Sequence, residues 1–324
     1  MRKLILLCLF INSYSAAFNQ VVNGTVLDKV TKNSIGFATV YFNGTYVGTS
    51  ADQNGNFELN ISKNASMPLT ISAIGYYSVT LTDFSKVEPL IIYLSPKVYE
   101  LHEAVISAKS LERIRKRNLI LFKEEFLGTT ENAQYCEILS EKDITFNYYS
   151  QDDTLKAYAL KPIIIDNKAL GYTITCYLDK FEYYRTSGSV FYVGNMIFKE
   201  NGIGEGANHQ FDERRKNTYL GSRVHFLRTL WSDDLFLSDF IVRDAKQRLL
   251  DYKSIVIEEG NDKFIQYPKS FCIVYDKSVS FIYFLKQKVF FDKVGHFDPS
   301  GINWKGKMGD QRIADSLPDE YILK

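Results

Sequence analysis

The side chains able to do chemistry in this sequence are few and scattered. Only four histidines occur in 324 residues. His102 is followed by Glu103, yet neither HxxE nor HExxH occurs, so the spacing that sets two zinc ligands on one helix face is missing. His209 and His225 lie near helical stretches, and either would become a general base if the fold set it beside a carboxylate in a cleft. Acidic pairs stand at Asp152-Asp153, Asp233-Asp234 and Glu258-Glu259. Neighbours on a strand face opposite sides, so these pairs read as solvated turns or caps rather than acid/base couples. Gly202-x-Gly204-x-Gly206 lacks the spacing and the βαβ setting of a phosphate loop, and no GxSxG elbow is present. Asp52-x-Asn54-x-Asn56 starts like a calcium loop, but no Glu closes it at the twelfth position. A plain hairpin turn is the simpler account.

Cysteines and aromatic rings carry two further options. Cys136, Cys176 and Cys272 sit among aromatic or β-branched neighbours and read as small buried hydrophobes, with one disulfide plus a free thiol as the alternative. No CxxC supports a zinc or redox motif. Tyr148-Tyr149, Tyr183-Tyr184 and Trp304 offer rings that could stack on sugar or peptide, while a Phe- and Tyr-filled core accounts for them equally. No residue is singled out as catalytic, cofactor-binding or metal-binding, and no cofactor is expected.

The elements that would position these groups are mostly strands. With 23 Phe and 22 Tyr against 7 Pro, the composition favours pleated faces carrying bulky rings. Lys and Arg number 39 against 38 Asp and Glu, so no field advertises nucleic acid. Arg2 and Lys3 precede the apolar stretch Leu4 to Ile11, and small residues follow at Ser15 and Ala17: a leader over residues 1–17, and an exported mature chain, are expected. Cys8 leaves with it, and its place inside the apolar stretch is wrong for a lipid anchor.

Residues 20–95 read as about seven short strands separated by turn signals. Asn43-Gly44 and Asp52-Gln53-Asn54-Gly55 mark hairpin tips, and Phe57, Leu59 and Ile61 recur at period two on one buried face. The order Val22-x-Gly24-x-Val26-x-Asp28, Ile35-x-Phe37-Ala38-x-Val40, Gly44-Thr45-x-x-x-Gly48-Thr49-x-Ala51-Asp52-x-x-Gly55-x-Phe57 and Ile71-x-Ala73-Ile74-Gly75-Tyr76 resembles the carboxypeptidase regulatory-like domain. The resemblance implies an all-β, transthyretin-like sandwich that heads exported proteins of Gram-negative envelopes and carries none of the peptidase's zinc ligands.

A connector over 96–109 leads to residues 110–324, read as an α+β domain with a mostly antiparallel sheet. Ser110 is the expected cap of a helix to about Thr129 carrying Leu111, Ile114, Leu121, Phe122 and Phe126 on one side, with Arg113, Arg115, Lys116 and Arg117 mostly on the other. A second helix is expected from Thr218 to Trp231, its stripe Leu220, Val224, Leu227 and Trp231, with His225 off the centre. Strands are expected at 144–148, 172–181, 189–193, 254–258, 270–275, 279–284 and 288–291, before a glycine-rich tail carrying Trp304. A receptor barrel of about 22 strands at roughly 10 residues each, plus its plug, needs more chain than follows residue 108. The tail Gly301-x-x-Trp304-x-Gly306-x-Met308-Gly309 and the segment Gly221-Ser222-x-x-His225 resemble the C-terminal half of exported proteins headed by the same module, to which no activity is attached.

Taken together, these features point to a non-enzymatic exported protein of the periplasm or outer membrane. Its partner would be an envelope protein or a glycan, with peripheral membrane association and no nucleic acid. A hydrolase on envelope material and a receptor-like outer-membrane component are the alternatives.

Overall fold

The computed structural model describes residues 20–62, 64–84, 89–98, 108–202 and 209–323. The expected leader, most of the connector with His102, and the glycines at 204 and 206 lie outside the described residues.

Seven strands build the N-terminal sandwich: β1 Val21–Asp28, β2 Thr39–Phe42, β3 Gly48–Ser50, β4 Asn56–Asn60, β5 Leu69–Ser72, β6 Val79–Leu81 and β7 Leu90–Leu94. They form one sheet ordered β4-β1-β7 and another ordered β3-β2-β5-β6. All pairings are antiparallel except β1 with β7. Alternation does the closing. Phe57 and Leu59 on β4, and Ile61 just beyond it, point inward with Val26, Val40, Ile71 and Ile92, and each such side chain contributes about 1.5–3 kcal/mol by leaving water. Asp52 Oδ1 accepts the amide N–H groups of Asn54 and Asn56 at 2.8 Å each, so the calcium-like run is a self-capped turn. One detail departs from the periodicity: Gly36 and Phe37 form a turn before β2, and Phe37 is exposed rather than part of a strand.

Helix α1 spans Ala108–Leu127, starting before Ser110, so Ser110 is inside the helix and not its cap. Its buried face holds Asn118, Phe122 and Phe126, whereas Leu111 stays exposed. Those phenylalanines pack on a six-stranded antiparallel sheet made of β8 Cys136–Ile138, β9 Ile144–Tyr149, β10 Thr154–Ala159, β11 Ile163–Asn167, β12 Tyr172–Tyr184 and β13 Ser189–Glu200. Arg115 leaves the basic run of α1 to donate to the carbonyls of Ile144 and Glu141 at 2.5 and 2.7 Å. It is a tether to the sheet.

Helices α2 His209–Tyr219 and α3 Arg223–Trp231 replace the single helix expected from Thr218 to Trp231. Gly221 sits at φ +70°, and a Cβ there would lie 2.7 Å from the Tyr275 ring, so glycine breaks the helix at this point. Ser222 Oγ then accepts the His225 amide N–H at 3.0 Å and caps α3. Restarting the helix turns a different stripe inward, Phe226, Leu227 and Leu230, with His225 buried as well.

A third core gathers around α3. Strand β14 Phe240–Asp244 comes first, and the single turn α4 Tyr252–Ile255 leads into β15 Val256–Glu259 and β16 Asp262–Ile265. Then follow β17 Ser270–Tyr275, β18 Ser278–Phe284, β19 Val289–Phe291, β20 Ile302–Gly306 and the short α5 Lys307–Asp310. Sheets β14-β17-β18-β20 and β15-β16-β19 share this core. The expected strand at 254–258 starts late because Asp251 caps α4. The glycine-rich tail contributes β20, and Trp304 packs edge-on against Phe226 and Phe297. Trp304 is 8 % exposed and therefore no stacking platform. Among the described residues no helix is long and apolar enough to cross a membrane.

Candidate functional site

The sandwich is seated on the larger part through the very hairpin tip that its sequence marks. Asn43 Oδ1 accepts the Met196 amide N–H at 2.7 Å, the Gly44 N–H donates to the Met196 carbonyl at 2.8 Å, and the Phe198 N–H donates to the Thr45 carbonyl at 3.0 Å. The turn 43–45 is thereby hydrogen-bonded to the edge of β13. From the other side, the C-terminal segment closes on it: the Asp319 N–H donates to the Gly44 carbonyl at 2.8 Å and the Tyr46 N–H to Glu320 Oε1 at 3.0 Å. Arg228 on α3 fixes that segment by donating to the carbonyls of Val294, Tyr321 and Asp319 at 2.7, 2.7 and 2.8 Å. A second seam joins the sandwich to β12, where Tyr41 stacks on Tyr177 and Lys97 Nζ donates to the Leu178 carbonyl at 2.7 Å beside Asp179.

Where these parts meet lies a cavity of about 680 Å³. Its floor is buried and its rim is open. Tyr172 begins β12, Glu200 ends β13, and Arg215 of α2 lies across both strand ends. The Arg215 guanidinium sits 4.2 Å from the centre of the Tyr172 ring. Its Nη1 donates to Glu200 Oε1 at 2.6 Å and its Nε to the Leu170 carbonyl at 2.8 Å. Tyr46, from the sandwich, tilts against Tyr172 at 6.2 Å, and Tyr321 packs on Tyr219 at 5.4 Å. Burial pushes the Tyr46 and Tyr172 phenols up, and the hydrogen bond between their hydroxyls adds to the rise at Tyr46. Desolvation also raises the Glu320 carboxyl above its ordinary range, while the Tyr46 amide partly offsets that. The site presents rings, carboxylates and one guanidinium held through Nε and Nη1, whose Nη2 is buried without a hydrogen-bond partner among the described residues.

The histidines are arranged otherwise than the sequence suggests. His225 does not face a carboxylate: its Nδ1 accepts the Gly221 amide N–H at 3.1 Å, and its ring packs on Tyr219, Phe240 and Tyr275. Burial holds its pKa down at about 4, so it is a neutral core group. The side chain of His209 lies outside the described residues. The histidine set between carboxylates is His296, with Nδ1 3.2 Å from Asp292 Oδ2 and Nε2 2.8 Å from Asp319 Oδ2. Burial would lower its pKa, but the two carboxylates win and raise it to about 10. A ring held protonated at neutral pH cannot accept a proton, so His296 is a clamp between the 292–296 turn and the C-terminal segment. Nothing in the sequence distinguished it, because Asp319 is remote in the chain.

Several of the remaining candidates are absorbed into the structure. Asp153 accepts from the hydroxyls of Tyr148 and Thr186, Glu258 from Tyr252, and Glu259 pairs with Lys288. Tyr184 donates to Glu182, and Tyr149 and Tyr158 share a hydrogen bond. Cys136, Cys176 and Cys272 are free thiols, the last two buried. Among the described residues no group of three or more His, Cys, Asp or Glu is placed to hold a metal ion.

Residues 22–106 match the CarboxypepD_reg-like domain. The matched stretch takes in the glycine-punctuated sandwich with its docking hairpin, and Tyr46, the cavity wall it supplies, lies within it; on this similarity the sandwich is called the regulatory-like domain. No curated protein matches the chain. A solved structure of a candidate membrane-associated protein of unknown function from Bacteroides fragilis NCTC 9343 is 9% identical, over 88% of this chain and 92% of that one, with a TM-score of 0.19.

Proposed function

We propose that the chain is a non-enzymatic exported protein of a Gram-negative envelope that binds a ligand where its regulatory-like domain meets the larger part. The observation that carries this reading is the construction of the cavity. Tyr46 comes from the sandwich, Tyr172 and Glu200 from the six-stranded sheet, Arg215 from α2, and Glu320 and Tyr321 from the C-terminal segment. Convergence of distant segments on a concave site with a few placed polar groups is the usual architecture of a ligand pocket. The regulatory-like domain then has two roles, fixing the C-terminal segment and supplying one wall. Export is supported by the basic, apolar and small-residue order of the first 17 residues and by the class of the matched domain.

The experiment is a thermal-shift screen of the full chain against envelope-derived peptides and oligosaccharides, paired with fractionation of the cells that make it. The reading expects the protein in the envelope fraction and a saturable rise in Tm with at least one compound, abolished in Tyr172→Ala. Retention in the cytosol, or a shift that survives the substitution, contradicts it.

A further inference from the structure

One polar atom in the cavity wall is left over and narrows the ligand class, an inference that rests on the reading of this cavity as a ligand site. Arg215 is 5 % exposed, and its guanidinium commits Nε to the Leu170 carbonyl and Nη1 to Glu200. Nη2 is buried and has no hydrogen-bond partner among the described residues. A charged donor stripped of water and left unpaired is costly, and such groups are rare in native interiors. Arg215 lines the cavity, so an oxygen of a bound ligand would supply the missing acceptor.

The surroundings of that donor decide what kind of oxygen it takes. Glu200, Asp212, Glu213 and Glu320 line the same cavity against Arg215 and Lys216. A ligand carboxylate or phosphate would reach Arg215 only by approaching this surplus of negative charge, so the oxygen is a neutral one. Ionised carboxylates only accept hydrogen bonds, so the ligand must also bring donors. Glu320 takes the Tyr46 amide on Oε1 and has acceptor capacity to spare. A hydroxyl is acceptor and donor on one atom, and it alone answers both needs at once. Tyr321, backed by Tyr219, adds an aromatic ring to the same lining. We propose that the cavity binds a neutral saccharide, one hydroxyl of which accepts from Arg215 Nη2 while others donate to Glu320 and a sugar face covers Tyr321. The volume of about 680 Å³ lies within the roughly 300–1,000 Å³ of small-molecule sites and leaves room for a short oligosaccharide. Because Nη2 is closed to bulk water, binding includes a small outward swing of the Tyr46 ring, which stands 37 % exposed.

The test is calorimetric titration of the full chain with maltotriose, cellotriose, triacetylchitotriose and any neutral saccharide that the thermal-shift screen returns. Acidic trigalacturonate and the neutral peptide acetyl-trialanine-amide are titrated beside them. Saturable binding of a neutral saccharide, weakened roughly tenfold or more by Arg215→Lys and little changed by added salt, supports the proposal. Lysine keeps the positive charge and gives up the forked donor. That variant also disturbs the bonds to Leu170 and Glu200, so a melting curve accompanies it and a second handle is placed in the ligand. Among single-deoxy analogues of the sugar that binds, at least one should bind the wild-type protein roughly tenfold more weakly. Equal binding of all of them overturns the hydroxyl contact. Binding of trigalacturonate or the peptide without any neutral saccharide overturns the class and leaves the cavity as a ligand site. The same holds if no probe binds and the screen finds a ligand of another class, whereas failure in both assays removes the cavity reading as well.

Discussion

The carbonyl of Gly44, at the tip of a hairpin in the regulatory-like domain, accepts the amide N–H of Asp319 at 2.8 Å. Gly44 has φ +82°, and a Cβ there would stand 3.0–3.2 Å from the Asp319 carboxylate. Both the backbone conformation and the close approach call for glycine. The same carboxylate reaches His296 Nε2 at 2.8 Å, so one residue ties the hairpin to the third core.

Gly44→Ala should therefore destabilise the full chain by about 1–3 kcal/mol, combining left-handed backbone strain with displacement of Asp319. Chemical denaturation of the two proteins measures it. A variant as stable as the wild type would show that the tip is not seated as described.

Arg228→Met keeps the length and apolar body of the side chain but leaves three carbonyls, those of Val294, Asp319 and Tyr321, without their charged donor. The expected loss is about 2–4 kcal/mol, with earlier proteolytic cleavage in the 311–323 segment. Limited proteolysis followed by mass spectrometry reads the site of first cutting, and unchanged cleavage there contradicts the role given to Arg228.

Much of this was legible in the sequence. Alternation of Phe57, Leu59 and Ile61, and the Asn43-Gly44 signal, sufficed for the sandwich because strand faces and tight turns are local properties. The same locality misled over the second helix. Leu220, Val224, Leu227 and Trp231 fit one stripe only if the chain continues through Gly221, and its contact with Tyr275 is a tertiary fact. The cavity was out of reach for the same reason: Tyr46 and Glu320 bond across 274 residues. Trp304 and His225 drew attention by residue type, yet burial among aromatic rings gives both structural roles.

The His296 clamp makes stability depend on pH in a stated direction. Its folded pKa of about 10 lies above the ordinary 6.5, so its contribution is complete below 6.5 and is lost as pH rises through 10. Asp292 is held below 3.8, chiefly by its bonds with His296 winning over burial, so its share is present above that value and fades in more acid solution. With the imidazole 40 % exposed, water screens part of the effect. Denaturation midpoints should fall from pH 6.5 toward 10, and His296→Gln should flatten that slope; a slope unaltered by the substitution removes the clamp from the account.

Burial pushes the thiols of Cys136 and Cys176 up to about 12. Neither forms a thiolate at neutral pH, so both should resist alkylation in the native protein and react on unfolding. Peptide mapping after iodoacetamide at pH 8 distinguishes the states, and labelling of Cys176 in native protein as fast as a free thiol is incompatible with its place in the core.

Hydrogen exchange across the junction goes most directly to the claim that the hairpin tip is seated on β13 and supplies one wall of the cavity. In the full chain the amides of Gly44, Tyr46, Met196, Phe198 and Asp319 should be protected to a similar degree, since they close one set of bonds. Exchange of Gly44, Tyr46 and Asp319 at the rate of an open surface loop, with β13 still protected, would mean that the regulatory-like domain is not seated there and that the cavity loses the wall it supplies.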